Sequence, residues 1–424
     1  MKMVVKQRKG KSKGNKDSSS SKVRIAENYN ADKDSRGKKS KSAVAPKRKK
    51  KLSLPQLFLF LTCFFSVVGG ILYRYYLKYG ISIFVGRSFG DYKLTPYEWR
   101  KYIDDNDKTI LLIGGPHRSG TTIVWEAIKK HPEISGFGDR FETGVDYSEG
   151  VLFQELYPRF GVGLEFKKNF GRPKRAKGED EETQDGLGRF ALLPEDIVHW
   201  TKENKSKYLK DPSNFSHLMN RFAPYWDKNS DFGGKDGMEK SKIWVEKSPQ
   251  NGVLTTFLEG IYNMPVQEDG SVDIITPAKT KTCTQFLYMT RHPIANVYAI
   301  ETFVHDSMGG FIDFEILLRN YIQLHKYMKM DEKALDSPAM WSRLEDFTSS
   351  PKQQLKEIYS FLHVSSDESI IDQVIENLDD IKPYPNEKYF KKWCAEGRKE
   401  HGHLIEKYSV ELKNLELGYD LDVC

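Results

Sequence analysis

Between Thr109 and His131 the chain runs Thr-Ile-Leu-Leu-Ile-Gly-Gly-Pro-His-Arg-Ser-Gly-Thr-Thr-Ile-Val-Trp-Glu-Ala-Ile-Lys-Lys-His, a sequence of residue types suited to holding an anion. The apolar run Ile110–Ile113 predicts a buried parallel strand. Glycines interrupt it, and Ile123, Val124, Ala127 and Ile128 then recur at helical spacing. The first amides of a helix have no partner within it, and the macrodipole is positive at that end. Gly115, Pro116, His117, Arg118, Ser119, Gly120, Thr121 and Thr122 are therefore candidates to cradle a phosphate or sulfate group. Gly115 and Gly120 keep the Gly-x4-Gly spacing of a triphosphate-binding loop, but Thr121-Thr122 stands where that loop carries Lys-Ser/Thr. The cation here is Arg118, inside the loop.

The string Gly115-Pro116-His117-Arg118-Ser119-Gly120-Thr121-Thr122 resembles the 5′-phosphosulfate loop of sulfotransferases that use 3′-phosphoadenosine 5′-phosphosulfate (PAPS). A second segment, Gln285 to Tyr298, has a strand ending at Arg291, then His292-Pro293 and a helical stretch. It is similar to the family's 3′-phosphate segment. A permanently charged, bidentate guanidinium suits a dianionic phosphate. Where the family commonly places a serine eight residues after this arginine, the chain has Ala299; Asn296 and Thr302 are the candidates to replace it.

A third segment, Trp244-Val245-Glu246-Lys247-Ser248-Pro249, resembles the Glu-Lys-Ser/Thr-Pro segment of the membrane-bound branch, which implies a lysine reaching the transferred group. Arg343-Leu344-Glu345-Asp346-Phe347 is similar to the family's Arg-Tyr-Glu-Asp-Leu strand, and Ser350-Pro351 to its helix start, with Ser350 the N-cap. Leu417-Gly418-Tyr419 matches its ending. These segments are in the family's order and span residues 109–420.

Sulfuryl transfer needs fixed cations and donors where charge builds up, and a base for the acceptor hydroxyl. The resemblance implies Arg118 and Lys247 as cations, PAPS as co-substrate, and no metal. In tyrosylprotein sulfotransferases a glutamate beyond the first helix is the base. That register lands on Asp139, with Glu142 three residues later. Glu149, followed by Gly150 and Gln154, matches a Glu-Gly…Gln pattern of a membrane-bound branch. Glu149 and Glu142 are the leading candidates. The acceptor, a hydroxyl or amine of carbohydrate, protein tyrosine or a small alcohol, stays open. So do a catalytically silent binding relative, a P-loop kinase or NTPase, and homo-oligomerisation.

The charge distribution sets the location. Residues 1–51 hold 19 Lys/Arg against 4 Asp/Glu, a net +15; with the whole chain at +7, residues 52–424 carry −8. The basic tail is poor in apolar residues and is expected to be disordered. A nucleic-acid arm is set aside by the apolar stretch that adjoins it. Residues 52–73 contain no charged side chain, long enough to cross about 30 Å of hydrocarbon. Lys47 to Lys51 abut its start, so the positive-inside bias keeps the N-terminus cytosolic. The expectation is a type II Golgi membrane protein: tail 1–51, signal anchor 52–73, stem 74–107, lumenal catalytic domain 108–424. Asn204 and Asn214 stand in N-glycosylation sequons. Cys63 lies in the span, and Cys283, Cys394 and Cys424 allow one disulfide whose pairing the sequence leaves open.

Within the domain, strands at 109–114, 243–246 and 284–290 alternate with helices at 121–130, 252–262 and 294–304. Further helices are expected at 311–330, 351–362, 367–378 and 399–416. That alternation predicts a P-loop-like three-layer α/β/α fold with a central parallel sheet, its ligand outside the carboxyl ends of the strands. The topology has a direct check. Protease treatment of sealed microsomes is expected to trim only a few kilodaltons from the full chain; digestion of its bulk would refute the orientation.

Overall fold

The apolar runs at 109–114, 243–247 and 284–290 lie side by side in one sheet. The structure is a computed structural model that describes residues 93–137, 192–228, 241–272, 282–308, 311–378 and 381–424. The expected anchor 52–73 and the candidate bases Asp139, Glu142 and Glu149 lie outside the described residues. Among the described residues, no helix is long and apolar enough to cross a membrane.

In chain order the elements are α1 (Pro96–Asp105), β1 (Thr109–Gly114), α2 (Thr121–Ile128), β2 (Ile134–Gly136), α3 (Ser213–Lys228) and β3 (Ile243–Lys247). There follow α4 (Thr255–Tyr262), β4 (Thr284–Thr290), α5 (Pro293–Met308), α6 (Phe314–Ala334) and β5 (Ala339–Arg343). The chain then forms α7 (Leu344–Ser349), α8 (Pro351–Phe361), α9 (Glu368–Glu376), α10 (Glu387–Lys392) and α11 (Arg398–Lys407). Among the described residues the sheet has five strands, all parallel, in the order β2-β3-β1-β4-β5. Every residue of β3 and β4 is buried, and all but the first of β1. Successive strand side chains point to opposite faces, so both faces are covered, as the predicted three-layer α/β arrangement requires. The connection leaving β1 runs to one side of the sheet and that leaving β4 to the other. The β1/β4 boundary is thus the switch point at which open α/β sheets bind ligands.

Some elements differ from the sequence expectations. The Arg343–Phe347 segment is not a strand: β5 ends at Arg343, and Leu344 begins α7. Ser350 stands at the N-cap of α8 with Pro351 at the first position, but its side chain makes no capping bond. The stretch read as stem contains α1, which a Thr95/Glu98 capping box starts and which buries Trp99, Arg100 and Ile103.

A second apolar cluster joins α5, α6, α10 and α11, with Val297, Leu317, Tyr321, Trp393 and Leu404 among its members. The C-terminal segment lies across this layer. Cys394, in the π-helical turn between α10 and α11, forms a disulfide with Cys424, leaving Cys283 buried as a free thiol. Closing a loop of 30 residues is worth about 3–4 kcal/mol in the chain-entropy account. Reductant is therefore expected to lower the urea midpoint of the wild-type chain to that of Cys424→Ser while leaving the variant unmoved. A reductant-insensitive wild type would rule out the pairing.

Candidate anion-binding site

Because β3, β1 and β4 are neighbours, residues from three distant segments meet at one edge. Lys247 pairs with Ile113 across β3/β1, and Ile113 pairs with Leu287 across β1/β4. Gly115 and Arg291 each follow the last residue of their strand, and Lys247 ends its own. The exits of β1 and β3 are tied together: Ser248 N donates to Ile113 O at 3.1 Å and Gly115 N to Pro249 O at 3.1 Å.

The loop between β1 and α2 needs its glycines for packing and for backbone shape. A Cβ on Gly115 would lie 2.2 Å from Met289 O. Gly120 is the left-handed N-cap of α2 (φ 94°), and a Cβ there would meet Leu344 Cδ1 at 2.6 Å. With no side chain to cap the helix, the first-turn amides of α2 keep no intrahelical partner. Arg118 is also left-handed, at φ 64°, which costs about 1–2 kcal/mol for a residue with a Cβ.

The loop carbonyls are engaged one after another. Pro116 O accepts from Ser119 N at 3.2 Å and Ser119 Oγ at 2.6 Å. His117 O accepts from Asn296 Nδ2 at 2.9 Å, and Arg118 O from Arg291 Nη1 at 3.0 Å. A hydrogen bond from a charged donor contributes about 1.5–3 kcal/mol, enough to offset the strain at Arg118. With these carbonyls occupied, the loop offers its amides to a ligand. The donor set therefore fits a phosphate or sulfate group: helix-start amides, the exposed guanidinium of Arg118, and the half-buried hydroxyl of Thr122. Ser119 and Thr121 are buried, and Ser119 Oγ is already spent on Pro116. His117 is half-buried.

Lys247 is buried and reaches back to this loop. Its Nζ lies 3.3 Å from Thr122 Oγ1 and 5.3 Å from the centre of the Trp125 ring. The turn that delivers it is shaped by Glu246, whose carboxylate accepts from Ser248 Oγ and Asn251 Nδ2 at 2.5 Å each.

Arg291 is a strut as well as a cation. Besides Arg118 O, it donates through Nε to Asn386 Oδ1 at 2.8 Å and through Nη2 to Pro385 O at 2.9 Å. Burial pushes its pKa down and Arg118 adds to that, while Tyr389 and Glu345 oppose. Asn296 is fully buried and holds the loop through His117 O, and Ala299 is buried in the second apolar cluster. The sequence reading missed Asn386, Glu345 and Trp125 as parts of this site. Trp125 carried a signal, since it lies one helical turn beyond Thr122, and Glu345 lay in the family-like segment 343–347, whereas nothing in the sequence marked Asn386. Asn204 is exposed, whereas Asn214 is half-buried in the first turn of α3 and donates to Tyr208 O at 3.0 Å. Among the described residues, no group of three or more His, Cys, Asp or Glu side chains could hold a metal.

No family model and no curated protein sequence matches this chain. Solved structures similar to it include sulfotransferase STF9 from Mycobacterium avium, at 10% identity and a TM-score of 0.33, covering 74% of this chain and 81% of that one. A sulfotransferase from Alicyclobacillus acidocaldarius matches at 13% and 0.33, over 68% and 92% of the two chains. Retinol dehydratase, in complex with androsterone and inactive cofactor PAP, matches at 14% and 0.27, over 68% and 65%. Overlaps this loose carry no weight for the site.

Beneath Arg291 lies a buried polar stack with a fixed protonation pattern. His325 Nδ1 donates to Tyr321 O at 2.8 Å, so its Nε2 accepts from Thr290 Oγ1 at 2.9 Å. Tyr321 OH donates to Arg291 O at 2.8 Å. Burial lowers the His325 pKa from 6.5 to about 4. The unfolded chain therefore binds a proton that the folded one refuses, and stability falls as pH drops from about 6.5 towards 4. The full effect is on the order of 3 kcal/mol. Urea midpoints measured across that range are expected to slope less steeply in His325→Gln than in wild type; parallel curves would remove His325 as the cause.

Proposed function

We propose that this chain is a sulfotransferase that takes PAPS as co-substrate and transfers its sulfuryl group to a hydroxyl or amine, with carbohydrate or protein tyrosine as the acceptor classes. The observation that carries the reading is the meeting, at three adjacent strand ends, of an uncapped helix start, Lys247 and Arg291. When bound, the co-substrate supplies an activated sulfuryl group and a nucleotide that leaves as the 3′,5′-bisphosphate. The α2 amides, Arg118 and Thr122 are assigned to its 5′ end, and Arg291 to its 3′-phosphate. Lys247 holds a fixed ammonium beside the loop, in a buried place where such a charge acts strongly. Glu149 is proposed to take the acceptor proton, with Glu142 and Asp139 as alternatives.

We further propose a type II Golgi membrane protein with residues 108–424 in the lumen. The basic block before residue 52 and the uncharged stretch 52–73 support this. So does the Cys394–Cys424 disulfide, since such bonds persist in oxidising compartments, and so does the exposed sequon at Asn204.

Calorimetry on the purified full chain separates the readings. Binding of adenosine 3′,5′-bisphosphate without need of Mg²⁺ is expected; selective binding of ATP/Mg²⁺ would favour a kinase or NTPase. Binding without turnover of labelled PAPS across acceptor classes would mark a silent relative. Arg118→Ala is expected to weaken the bisphosphate roughly ten- to a hundred-fold. Lys247→Ala should lower turnover far more than affinity, the pattern of a group acting on transition-state charge. Loss of the base costs about 10²–10⁴-fold in rate. Glu149→Gln and Glu142→Gln, assayed side by side, are expected to show one such loss with binding intact, and normal turnover in both would move the base to another residue.

A further inference from the structure

Asn386 opens α10 and is buried, far along the chain from both anion-binding segments. Its Oδ1 accepts from Arg291 Nε at 2.8 Å, and its Nδ2 donates to Glu345 Oε1. A guanidinium can only donate and a carboxylate can only accept. The side chain bridging them must therefore accept at one end and donate at the other, which the amide of asparagine does and a carboxylate or aliphatic group does not. Glu345 is itself pinned, since Oε1 also accepts from His292 N at 2.8 Å and Oε2 from Tyr419 OH at 3.2 Å. Arg291 is thus held from behind and reaches forward to Arg118 O. That contact compensates the left-handed backbone at Arg118 and keeps the carbonyl out of the cradle.

We propose that Asn386 is a positioning residue of the donor site: through Arg291 it sets the backbone of the loop at Arg118, and so the affinity for the 5′ half of the nucleotide as well as the 3′ half. The inference deepens the PAPS reading and rests on it. The effect on the 5′ half is what separates it from a role confined to aiming Arg291 at a 3′-phosphate. A ligand without that phosphate then loses affinity too.

The experiment is calorimetry on the full chain with two probes, adenosine 3′,5′-bisphosphate and adenosine 5′-monophosphate. Asn386→Ala is expected to weaken both by about tenfold, the loss of one hydrogen bond to a charged group. Its unliganded melting curve provides the folding control, and Asn386→Leu, which keeps the size of the side chain but can neither accept nor donate, carries the same expectation should the alanine variant fail to fold. The double variant Arg291→Ala/Asn386→Ala is expected to bind no more weakly than Arg291→Ala alone, because Asn386 acts only through that arginine. Additive losses would mark a general structural role and overturn the proposal. Loss confined to the bisphosphate, or no loss with either probe, would overturn it as well. Wild-type affinity for the bisphosphate in Arg291→Ala would instead sink the donor-site reading.

Discussion

A carbonyl oxygen facing an anion is repulsive, and a tight loop that presents its amides must dispose of its carbonyls. Here the disposal is explicit. Pro116 O is taken by Ser119, His117 O by Asn296 and Arg118 O by Arg291. Two of those three donors come from the segment after β4, so the cradle is not a property of the glycine loop alone. It is a joint product of two strand exits that the parallel sheet sets side by side.

The same constraint explains why residues that read as ligand contacts are built into the scaffold. Asn296 stands one turn into α5, close enough to Arg291 to suggest a ligand contact. Yet it is fully buried, with its amide committed to the loop backbone. Arg291 divides its donors between Asn386, Pro385 and Arg118, and its burial lowers its pKa, a cost that only well-placed acceptors offset. Lys247 has a comparable setting, buried between the hydroxyl of Thr122 in the first turn of α2 and the face of Trp125.

Much of the fold was legible because the signals are local. The apolar runs at 109–114 and 284–290 announced buried strands, and those boundaries coincide with β1 and β4. The Thr95-Pro96-Tyr97-Glu98 capping box was equally local, but it lay in a stretch dominated by the neighbouring anchor, and so α1 was overlooked. β2 has three residues, too few for any periodicity to show. At 343–347 the strand had already ended, since its pairing with β4 stops at Arg343 and acidic side chains suit the first turn of a helix. The site divided the same way. The loop, Lys247 and Arg291 are marked by motifs, while Asn386 and the Cys394–Cys424 pair gain meaning only from contacts across long separations.

Those separations bear on how the protein is made. Arg291 lies 173 residues beyond the carbonyl it holds, and Asn386 a further 95 beyond Arg291. A ribosome that has released the chain through β4 has supplied the three strands whose ends meet at the site, but Arg291 still lacks the side chain of Asn386 behind it, and β5 has still to join the sheet. The hydrogen-bond chain that steadies the loop is therefore completed only once the segment that opens α10 has been made and has docked.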